Sequence, residues 1–359
     1  MPIAANQPVW LRRHFLQSAA VLAGASASDA SGNFPRGTIL DVGGIRVGHD
    51  TDPRRPTGCT VALFDQEATA GVDVRGSAPG TRETDLLNPV NTVQQIDAIV
   101  LSGGSAFGLE SVSGVMRYLR EHGRGFRLGG LTVPIVPAAI LFDLEVGKSG
   151  QTVWPDAEAG YRACQAASAT DLPEGNAGAG AGATVGKLFG TAYAMKSGFG
   201  TASLKIGGTG VVVGAMVAVN GVGDVRDPTT GRILAGARNA AGDGFRDSIA
   251  QIRNGYGVVA QPGAHTTLGV VATNVRFTKV EMTKIAQMSQ DGLARVINPV
   301  HTPWDGDTIF AVSTGTSEVQ AQLGMVGAVA AEVMSAAVIR AVLAAVSIPH
   351  YPAARDLRQ

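Results

Sequence analysis

The sequence predicts a layered α/β sandwich with helices outside stacked sheets. Short segments rich in β-branched residues outnumber the segments with helical periodicity. The helical segments lie far apart in the chain, a pattern that fits alternating layers of sheet and helix. The 359 residues are 45% hydrophobic and show no repeat of fixed period and no evident second domain, which favours one large core.

The predicted strands are short and are separated by glycine-rich turns. Thr278 and Glu281 form a capping box that opens one predicted helix, and Leu109, Val112 and Leu119 lie on one face of another. In chain order the predicted strands lie within 38–50, 60–65, 70–76, 95–104, 208–227, 266–275 and 307–315, and the predicted helices are 106–123, a helix from 278 and 323–347.

The apolar segment 323–347 is long enough to cross a membrane. Glu332 and Arg340 interrupt it and alanine dominates it, so a buried helix packed through small residues is expected instead, without a membrane partner. The polar segment 228–263 contains no long hydrophobic run and is predicted to be an exposed linker.

Composition narrows the classes of function. The net charge is zero, which argues against nucleic acid as the main partner because phosphate binding needs clustered Lys and Arg. The six histidines lack metal-ligand spacing and the two cysteines, Cys59 and Cys164, form no CxxC, so neither a metal nor a cofactor is expected. Whether the two cysteines form a disulfide stays open.

The N-terminal segment 11–27 resembles a twin-arginine export signal. Arg12 and Arg13 precede a short, weakly apolar stretch that ends in the small-x-small site Ala25-Ser26-Ala27. We therefore expect a signal peptide at 1–27, a flexible leader at 28–36 and a periplasmic location for the mature protein. The alternative is a basic surface helix.

Two glycine-rich segments resemble known motifs without matching them. Ser105 follows a strand and precedes a helix, as in a nucleophile elbow, but Phe107 occupies the place of the second flanking glycine. The segment that ends at Lys187 resembles a phosphate loop, but Ala181 replaces a required glycine and Leu188 the required Ser or Thr. Lys187 itself is either a solvated surface lysine or a desolvated lysine with a lowered pKa.

Two further positions carry candidate chemistry. Asp305 and Asp307 lie two residues apart just before a predicted strand, where they could orient an amine or share a proton. Thr266 follows an exposed, turn-rich segment and begins a core strand. If the bond between His265 and Thr266 is cut, Thr266 acquires an α-amine with a pKa of roughly 7.7–8.0, which can take the proton of its own hydroxyl.

Eight segments together resemble the L-aminopeptidase/D-esterase and β-peptidyl aminopeptidase family, which includes autoprocessed nylon-oligomer hydrolases. They occur in the family's order over about residues 37–347. They are DVGGIRVGHD (41–50), VDVRGSAPGTRETDLLNP (72–89), LSGGSAFGLE (101–110), VPIVPAAILFDL (133–144), GAGAGATVGK (178–187), KSGFGTAS (196–203), HTTLGVVATNV (265–275) and HTPWDGDTIFAVSTG (301–315).

The resemblance implies a four-layer α/β/β/α sandwich, related to ornithine acetyltransferase, that cuts itself into two chains. The expected catalytic domain covers 37–348, with one chain ending at 265 and the other starting at 266, and a C-terminal tail follows at 349–359. It also implies a hydrolase, an aminopeptidase or amidase, that releases N-terminal residues from short peptides, amides or esters through an acyl-enzyme. A homotetramer of processed two-chain units is expected.

The resemblance also assigns roles to residues of this chain. Thr266, rather than Thr267, aligns with the nucleophile, Lys187 with the lysine beside it and Asn220 with the oxyanion donor. Asp305 and Asp307 align with the polar pair near the nucleophile's amine.

Two positions depart from the family pattern. Phe142, a substrate-pocket candidate together with Ser105, stands where some members have tyrosine. His265 stands where familiar members have asparagine, which could slow self-cleavage or make it pH-dependent. Two alternatives stay open: an acyltransferase, favoured by transfer to an added amine, and an uncleaved binding protein, favoured by a chain that stays whole.

Overall fold

The structure is a computed structural model that describes residues 35–147, 153–261 and 263–357. The predicted export signal and residues 28–34 of the predicted leader lie outside the described residues. From Pro35 onwards the chain forms one compact unit.

The described residues form sixteen strands and five α-helices. The strands are β1 (Ile45–Thr51), β2 (Gly58–Val74), β3 (Gly80–Arg82), β4 (Gln95–Ser102), β5 (Phe126–Leu128), β6 (Leu131–Val133), β7 (Ala138–Ile140), β8 (Thr184–Val185), β9 (Met195–Lys196), β10 (Phe199–Lys205), β11 (Val212–Asn220), β12 (Asp224–Arg226), β13 (Ile233–Ala235), β14 (Thr266–Thr273), β15 (Ile297–Asn298) and β16 (Thr308–Ser313). The helices are α1 (Ser111–Glu121), α2 (Ala157–Gln165), α3 (Ser248–Arg253), α4 (Lys279–Val296) and α5 (Leu323–Ala344).

One sheet of nine strands dominates the described part of the chain. Its order is β10-β11-β14-β16-β2-β4-β7-β3. The ninth strand, β1, pairs with the first part of β2 on the edge opposite β4. The 17-residue strand β2 joins two halves of this sheet. One half contains β10, β11, β14 and β16, and the other contains β1, β4, β7 and β3. Residues 58–64 of β2 pair with β1, residues 69–74 pair with β16, and the register against β4 shifts between Leu63 and Ala68.

The two halves of the sheet face each other across a hydrophobic core. Side chains of β2 and β4 such as Phe64 and Leu101 meet Met216, Leu268 and Phe310 from β11, β14 and β16. The alternate residues of β2 and β4 point the other way, into a second cluster under α1 and α2. Helices α4 and α5 pack on each other and on the β10–β11–β14–β16 half. These layers form the expected α/β/β/α sandwich.

The helices begin where the sequence supplies caps. The Thr278–Glu281 capping box is present at the start of α4, as predicted. The Asp156 side chain accepts a hydrogen bond from the Ala159 N–H and starts α2, a helix that the periodicity did not reveal. Helix α5 is long and apolar enough to span a membrane, but 72% of its most apolar window is buried inside the protein. The prediction of a buried core helix is therefore confirmed.

Three details differ from the sequence predictions. Segments 60–65 and 70–76 are parts of the single strand β2, because a register shift absorbs the polar residues between them. The predicted exposed linker 228–263 is wrong for residues 233–253, which contain β13 and α3. The buried Asp224 carboxylate anchors this part by accepting hydrogen bonds from the N–H groups of Ala237 and Ser248.

The third difference is the predicted C-terminal tail, which is packed through residue 353. Tyr351 is 8% exposed and Ala353 is fully buried. The Arg355 guanidinium donates hydrogen bonds to the carbonyls of Leu343 and Ala344 at the end of α5, which ties this segment to the helix. Cys59 and Cys164 are both buried and both free, so no disulfide joins them.

Helices α1 and α2 approach closely because glycines face backbone at their contact. A Cβ on Gly160 would lie 1.9 Å from the Ser111 carbonyl oxygen, whereas a Cβ on Gly324 would meet nothing within 4 Å. We expect Gly160→Ala to lower the free energy of unfolding by about 1–3 kcal/mol through overpacking. Gly324→Ala, the matched control, should change it by less than about 0.5 kcal/mol. Urea unfolding of both variants measures the difference, and equal values would contradict the close contact.

Candidate active site

The order of three neighbouring strands brings the candidate residues together. Strand β14 pairs in parallel with β16 and antiparallel with β11, so the first residues of β14 and β16 and the last residue of β11 meet at one edge. Asn220 is the direct partner of Thr266 in this register. His265 forms a parallel bridge with Asp305, just before β16. Residues far apart in sequence thus share one buried neighbourhood.

Thr266 lies next to the carbonyl that precedes it. Its Oγ1 is 2.5 Å from the carbonyl oxygen of His265, to which it donates a hydrogen bond. The Gly306 N–H donates to the same oxygen at 2.8 Å. A Cβ at Gly306 would lie 2.8 Å from Thr266 Oγ1, so glycine allows the close approach. This carbonyl is therefore polarised by two donors, one of which is a nucleophilic hydroxyl.

Thr267 faces away from this arrangement. Successive strand residues point to opposite faces, and the Thr267 hydroxyl is buried without a hydrogen-bond partner among the described residues. Its backbone N–H donates to Asp307 Oδ1 at 2.7 Å. The geometry thus favours Thr266 over Thr267 as the reactive threonine.

Asn220 and Lys187 form the centre of the buried polar network. Lys187 Nζ donates to the side-chain oxygen of Asn220 at 2.8 Å, to its backbone carbonyl at 2.9 Å and to the Ala264 carbonyl at 3.3 Å. The Asn220 amide nitrogen donates to the Phe142 carbonyl at 3.0 Å, and its oxygen also accepts from the Thr184 N–H at 3.0 Å. Lys187 therefore contacts both the asparagine and the segment that precedes Thr266.

Burial changes the acid–base character of Lys187. The side chain is 3% exposed, which excludes the solvated surface lysine considered above. Desolvation disfavours the ammonium form and lowers its pKa from 10.5 to about 7, against the opposing attraction of Asp305, Asp143 and Glu145. A substantial fraction of neutral amine is thus present at neutral pH.

The two aspartates lie close together but hold different partners. Asp305 accepts hydrogen bonds from the Thr302 hydroxyl at 2.6 Å and from the N–H groups of Thr302 and Val222. Desolvation, reinforced by the nearby Asp307 charge, raises the pKa of Asp305 from 3.8 to about 6. Neither carboxylate accepts a hydrogen bond from the backbone nitrogen of Thr266. The expected contact between these aspartates and the nitrogen of Thr266 is therefore absent in the intact chain.

Asp307 instead fixes the backbone beside the nucleophile. Its Oδ1 holds the Thr267 N–H, and its Oδ2 accepts from the backbone N–H of His301 and contacts the His301 Nδ1 at 2.9 Å. His301, Thr302 and Thr184 were missed by the sequence analysis. The Thr-x-x-Asp spacing of Thr302 and Asp305 is a local hydrogen-bonding pattern that could have revealed one of them.

His265 is a buried and uncharged imidazole. It is 3% exposed, and neither ring nitrogen has a hydrogen-bond partner among the described residues. Desolvation, followed by the charge of Lys187, lowers its pKa from 6.5 to about 2. We therefore expect a neutral ring between pH 5 and 8, which argues against His265 as the source of a pH-dependent cut.

Two cavities adjoin the site. The inner cavity, about 20 Å³, is lined by residues that include Phe142, Lys187, Ala264 and His265. The outer cavity, about 770 Å³, shares Glu145 and two further lining residues with it. The Glu145 side chain has no hydrogen bond or ion pair with any described residue. The sequence offered no signal for Glu145.

Of the two residues predicted for the substrate pocket, Phe142 lines one of these cavities and Ser105 does not. Phe142 lines the inner cavity and accepts the Asn220 hydrogen bond. Ser105 lines neither of these two cavities, and its place in a substrate pocket stays a prediction. With φ of 54° it forms the turn between β4 and the helical segment after it, and its N–H bonds to the Leu141 carbonyl. No group of three or more His, Cys, Asp or Glu that could hold a metal occurs among the described residues.

Comparison with known proteins identifies the family. The model of peptidase family S58 matches residues 37–353. The chain belongs to peptidase family S58. An uncharacterized aminopeptidase of Mycobacterium tuberculosis is 42% identical over 347 residues, covering 89% of this chain and 97% of the relative. A 6-aminohexanoate-oligomer endohydrolase of Kocuria is 31% identical over 316 residues, covering 84% and 85% of the two chains.

Solved structures show the same fold at low sequence identity. The L-aminopeptidase D-Ala-esterase/amidase of Ochrobactrum anthropi, described as a variant of the Ntn hydrolase fold, has a TM-score of 0.67 at 19% identity over 92% of this chain and 94% of that one. A β-aminopeptidase of Burkholderia has a TM-score of 0.61 at 22% identity over 87% and 88%. The family S58 chain is therefore a hydrolase, and the resemblance seen in the sequence is confirmed. An uncleaved, non-catalytic binding protein is set aside.

The low pKa of Lys187 can be measured directly. In a Thr266→Ala chain with ¹³C-labelled lysine, we expect the Lys187 side-chain resonance to titrate near pH 7 rather than near 10.5, because burial penalises the ammonium. Lys187→Met in the same background identifies the resonance. Lys196→Met provides the matched control, because Lys196 is the other fully buried lysine whose pKa falls to about 7. A Lys187 resonance that titrates near 10.5 would contradict the buried ammonium.

Proposed function

We propose that this chain is a self-cleaving N-terminal-threonine hydrolase that removes N-terminal residues from short peptides, amides or esters. The observation that carries the proposal is the position of Thr266 Oγ1, which lies 2.5 Å from the carbonyl oxygen of His265 while Gly306 donates to that oxygen. A hydroxyl placed against the carbonyl of its own peptide bond is arranged for an N-to-O acyl shift.

The cut then proceeds in two steps. Thr266 Oγ1 attacks the His265 carbonyl carbon, and the developing oxyanion keeps its hydrogen bond from Gly306. The Oγ1 proton passes to the Thr266 nitrogen as the C–N bond breaks, which leaves His265 esterified to Oγ1. Water hydrolyses the ester, releasing the His265 carboxylate and a Thr266 with a free hydroxyl and a free α-amine.

The processed chain repeats this chemistry on a substrate. The α-amine of Thr266 takes the proton of Oγ1 as the hydroxyl attacks the substrate carbonyl. Asn220 stabilises the oxyanion with its amide group, which has two hydrogens and uses one on the Phe142 carbonyl in the intact chain. Lys187 tunes the nucleophile, and Asp305 and Asp307 hold the new N-terminus in place.

The cavities support a substrate with a free amino group. Glu145 is exposed, has no described partner and lines both cavities, so its carboxylate is available to bind an ammonium group. The inner cavity, about 20 Å³, is too small for a substrate residue, and Ala264 and His265 form part of its wall. Cleavage followed by displacement of these residues would open it, which fits an enzyme that matures before it acts.

Two further parts of the proposal rest on sequence and resemblance alone. Export to the periplasm rests on the twin-arginine segment at 11–27, which lies outside the described residues. Assembly into a homotetramer of two-chain units rests on the family resemblance.

We expect the purified parent protein to consist of two fragments that meet at the 265–266 bond. Thr266→Ala should remain a single chain because it lacks the attacking oxygen. Thr266→Ser should still be cut because it keeps that oxygen. Intact mass spectrometry of the three proteins measures the outcome. Thr267→Ala is the matched control and should be cut, since the Thr267 hydroxyl faces away. A parent chain that stays whole after folding would refute the self-made nucleophile.

We expect Glu145→Gln to lower kcat/KM for aminoacyl p-nitroanilides by about tenfold or more, because a charge-assisted hydrogen bond to the ammonium is lost. The loss should appear mainly in KM, since Glu145 is not placed at the reacting carbonyl. Glu318→Gln is a control of the same chemistry at a side chain that is 96% exposed. An equal loss in the two variants would contradict the assignment of Glu145.

A further inference from the structure

The outer cavity has a basic residue on its wall in addition to Glu145. It is about 770 Å³ in volume, which lies within the range of roughly 300–1,000 Å³ common for small-molecule sites. Glu145, Thr191 and Tyr351 line both this cavity and the inner one. Arg238 lines only the outer cavity, so it lies on the side away from Lys187 and His265.

Arg238 is held in position without having its charge neutralised. Its Nη2 donates to the Ala192 carbonyl at 2.7 Å and to the His350 carbonyl at 3.5 Å. Its Nε is buried and has no hydrogen-bond partner among the described residues. No carboxylate of a described residue lies within 4.0 Å of its guanidinium, whereas several other arginines of the chain have such a partner.

A guanidinium fixed by carbonyls and lacking an acidic partner is suited to a carboxylate ligand. Arginine presents parallel N–H donors that match the two oxygens of a carboxylate, and the resulting charge-assisted bonds are among the stronger hydrogen bonds in proteins. The outer cavity therefore combines a free acidic group on the wall that it shares with the inner cavity and a free basic group on the wall that it does not share. This pair of charges complements a small molecule with an ammonium at one end and a carboxylate at the other.

We propose that Arg238 binds the free C-terminal carboxylate of a short substrate whose ammonium lies at Glu145. The inference rests on the proposed function and deepens it. It names the substrate class as zwitterionic short chains, such as dipeptides and amino-acid dimers with a free acid, in preference to the corresponding amides and esters. Arg238 acts on binding and specificity, and it does not touch the reacting atoms.

The test compares substrates that differ only at the C-terminal group. The acyl residue is chosen as whichever of L-alanyl, D-alanyl or β-alanyl p-nitroanilide the processed protein hydrolyses fastest. The corresponding aminoacyl-glycine and aminoacyl-glycinamide then form the matched pair. We expect the parent to have a kcat/KM about tenfold higher for the free acid, with the difference in KM.

Three variants test whether Arg238 causes the preference for the free acid. Arg238→Gln should reduce the ratio of kcat/KM for acid over amide to near one, and Arg238→Lys should keep part of it because the charge remains. Arg232→Gln removes the same charge from an exposed arginine that does not line the cavity, and it should keep the parent's ratio. A structural role of Arg238 alone would lower both kcat/KM values together and leave the ratio unchanged, which would overturn the inference.

A binding measurement separates this inference from the proposed function. Calorimetry with the uncleaved Thr266→Ala chain, in which Glu145 and Arg238 both line the outer cavity, measures the affinities for alanyl-glycine and alanyl-glycinamide without any turnover. Tighter binding of the acid, lost in the Thr266→Ala, Arg238→Gln double variant, supports the carboxylate site even if no hydrolysis is found. Hydrolysis by the parent with equal kcat/KM and equal affinity for acid and amide overturns the carboxylate site and leaves the hydrolase intact.

Discussion

The pairing of β14 with β11 on one side and β16 on the other is the constraint on which the site depends. Because β11 runs antiparallel and β16 parallel to β14, the end of β11 and the beginnings of β14 and β16 lie at one edge of the sheet. Asn220 therefore faces Thr266, and the segment before β16 reaches the same place. A slip of one residue would turn Thr266 to the opposite face and bring Thr267 to the site. The apolar residues of β14 oppose such a slip, since alternate side chains pack into the core between the two halves of the sheet.

The same burial that fixes the register sets the electrostatics of the site. A charge at this depth is costly unless its hydrogen bonds are satisfied, and Lys187 directs its three bonds to Asn220 and Ala264. Burial lowers the pKa of Lys187 to about 7, raises the pKa of Asp305 to about 6 and keeps His265 neutral. In the intact chain Ala264 and His265 form part of the wall of the inner cavity. In the function proposed above, this arrangement is first the substrate of self-cleavage and then the framework that binds later substrates.

Much of the fold could be predicted locally. Strand β14, the capping box of α4 and the buried helix α5 each follow from side-chain periodicity or from one cap, which act over a few residues. The continuity of β2 could not be predicted, because a register shift in the neighbouring pairing decides whether two apolar runs form one strand. Nor could the packing of Tyr351, which depends on the distant cavity wall, or the anchoring of the segment after β12 by the buried Asp224.

The sequence by itself determined the family and the order of the strands along the chain, since these rest on residue types and their spacing. It also predicted Thr266 as the reactive threonine and proposed Lys187, Asn220 and both aspartates as its partners, because they lie in recognisable segments. Only the tertiary structure decided how these groups meet and that Glu145 and Arg238 line the outer cavity. The physical reason is distance along the chain. Hydrogen-bond partners, desolvation and cavity walls come from segments that are brought together by strand pairing and core packing, and a single sequence records the residues but not their contacts.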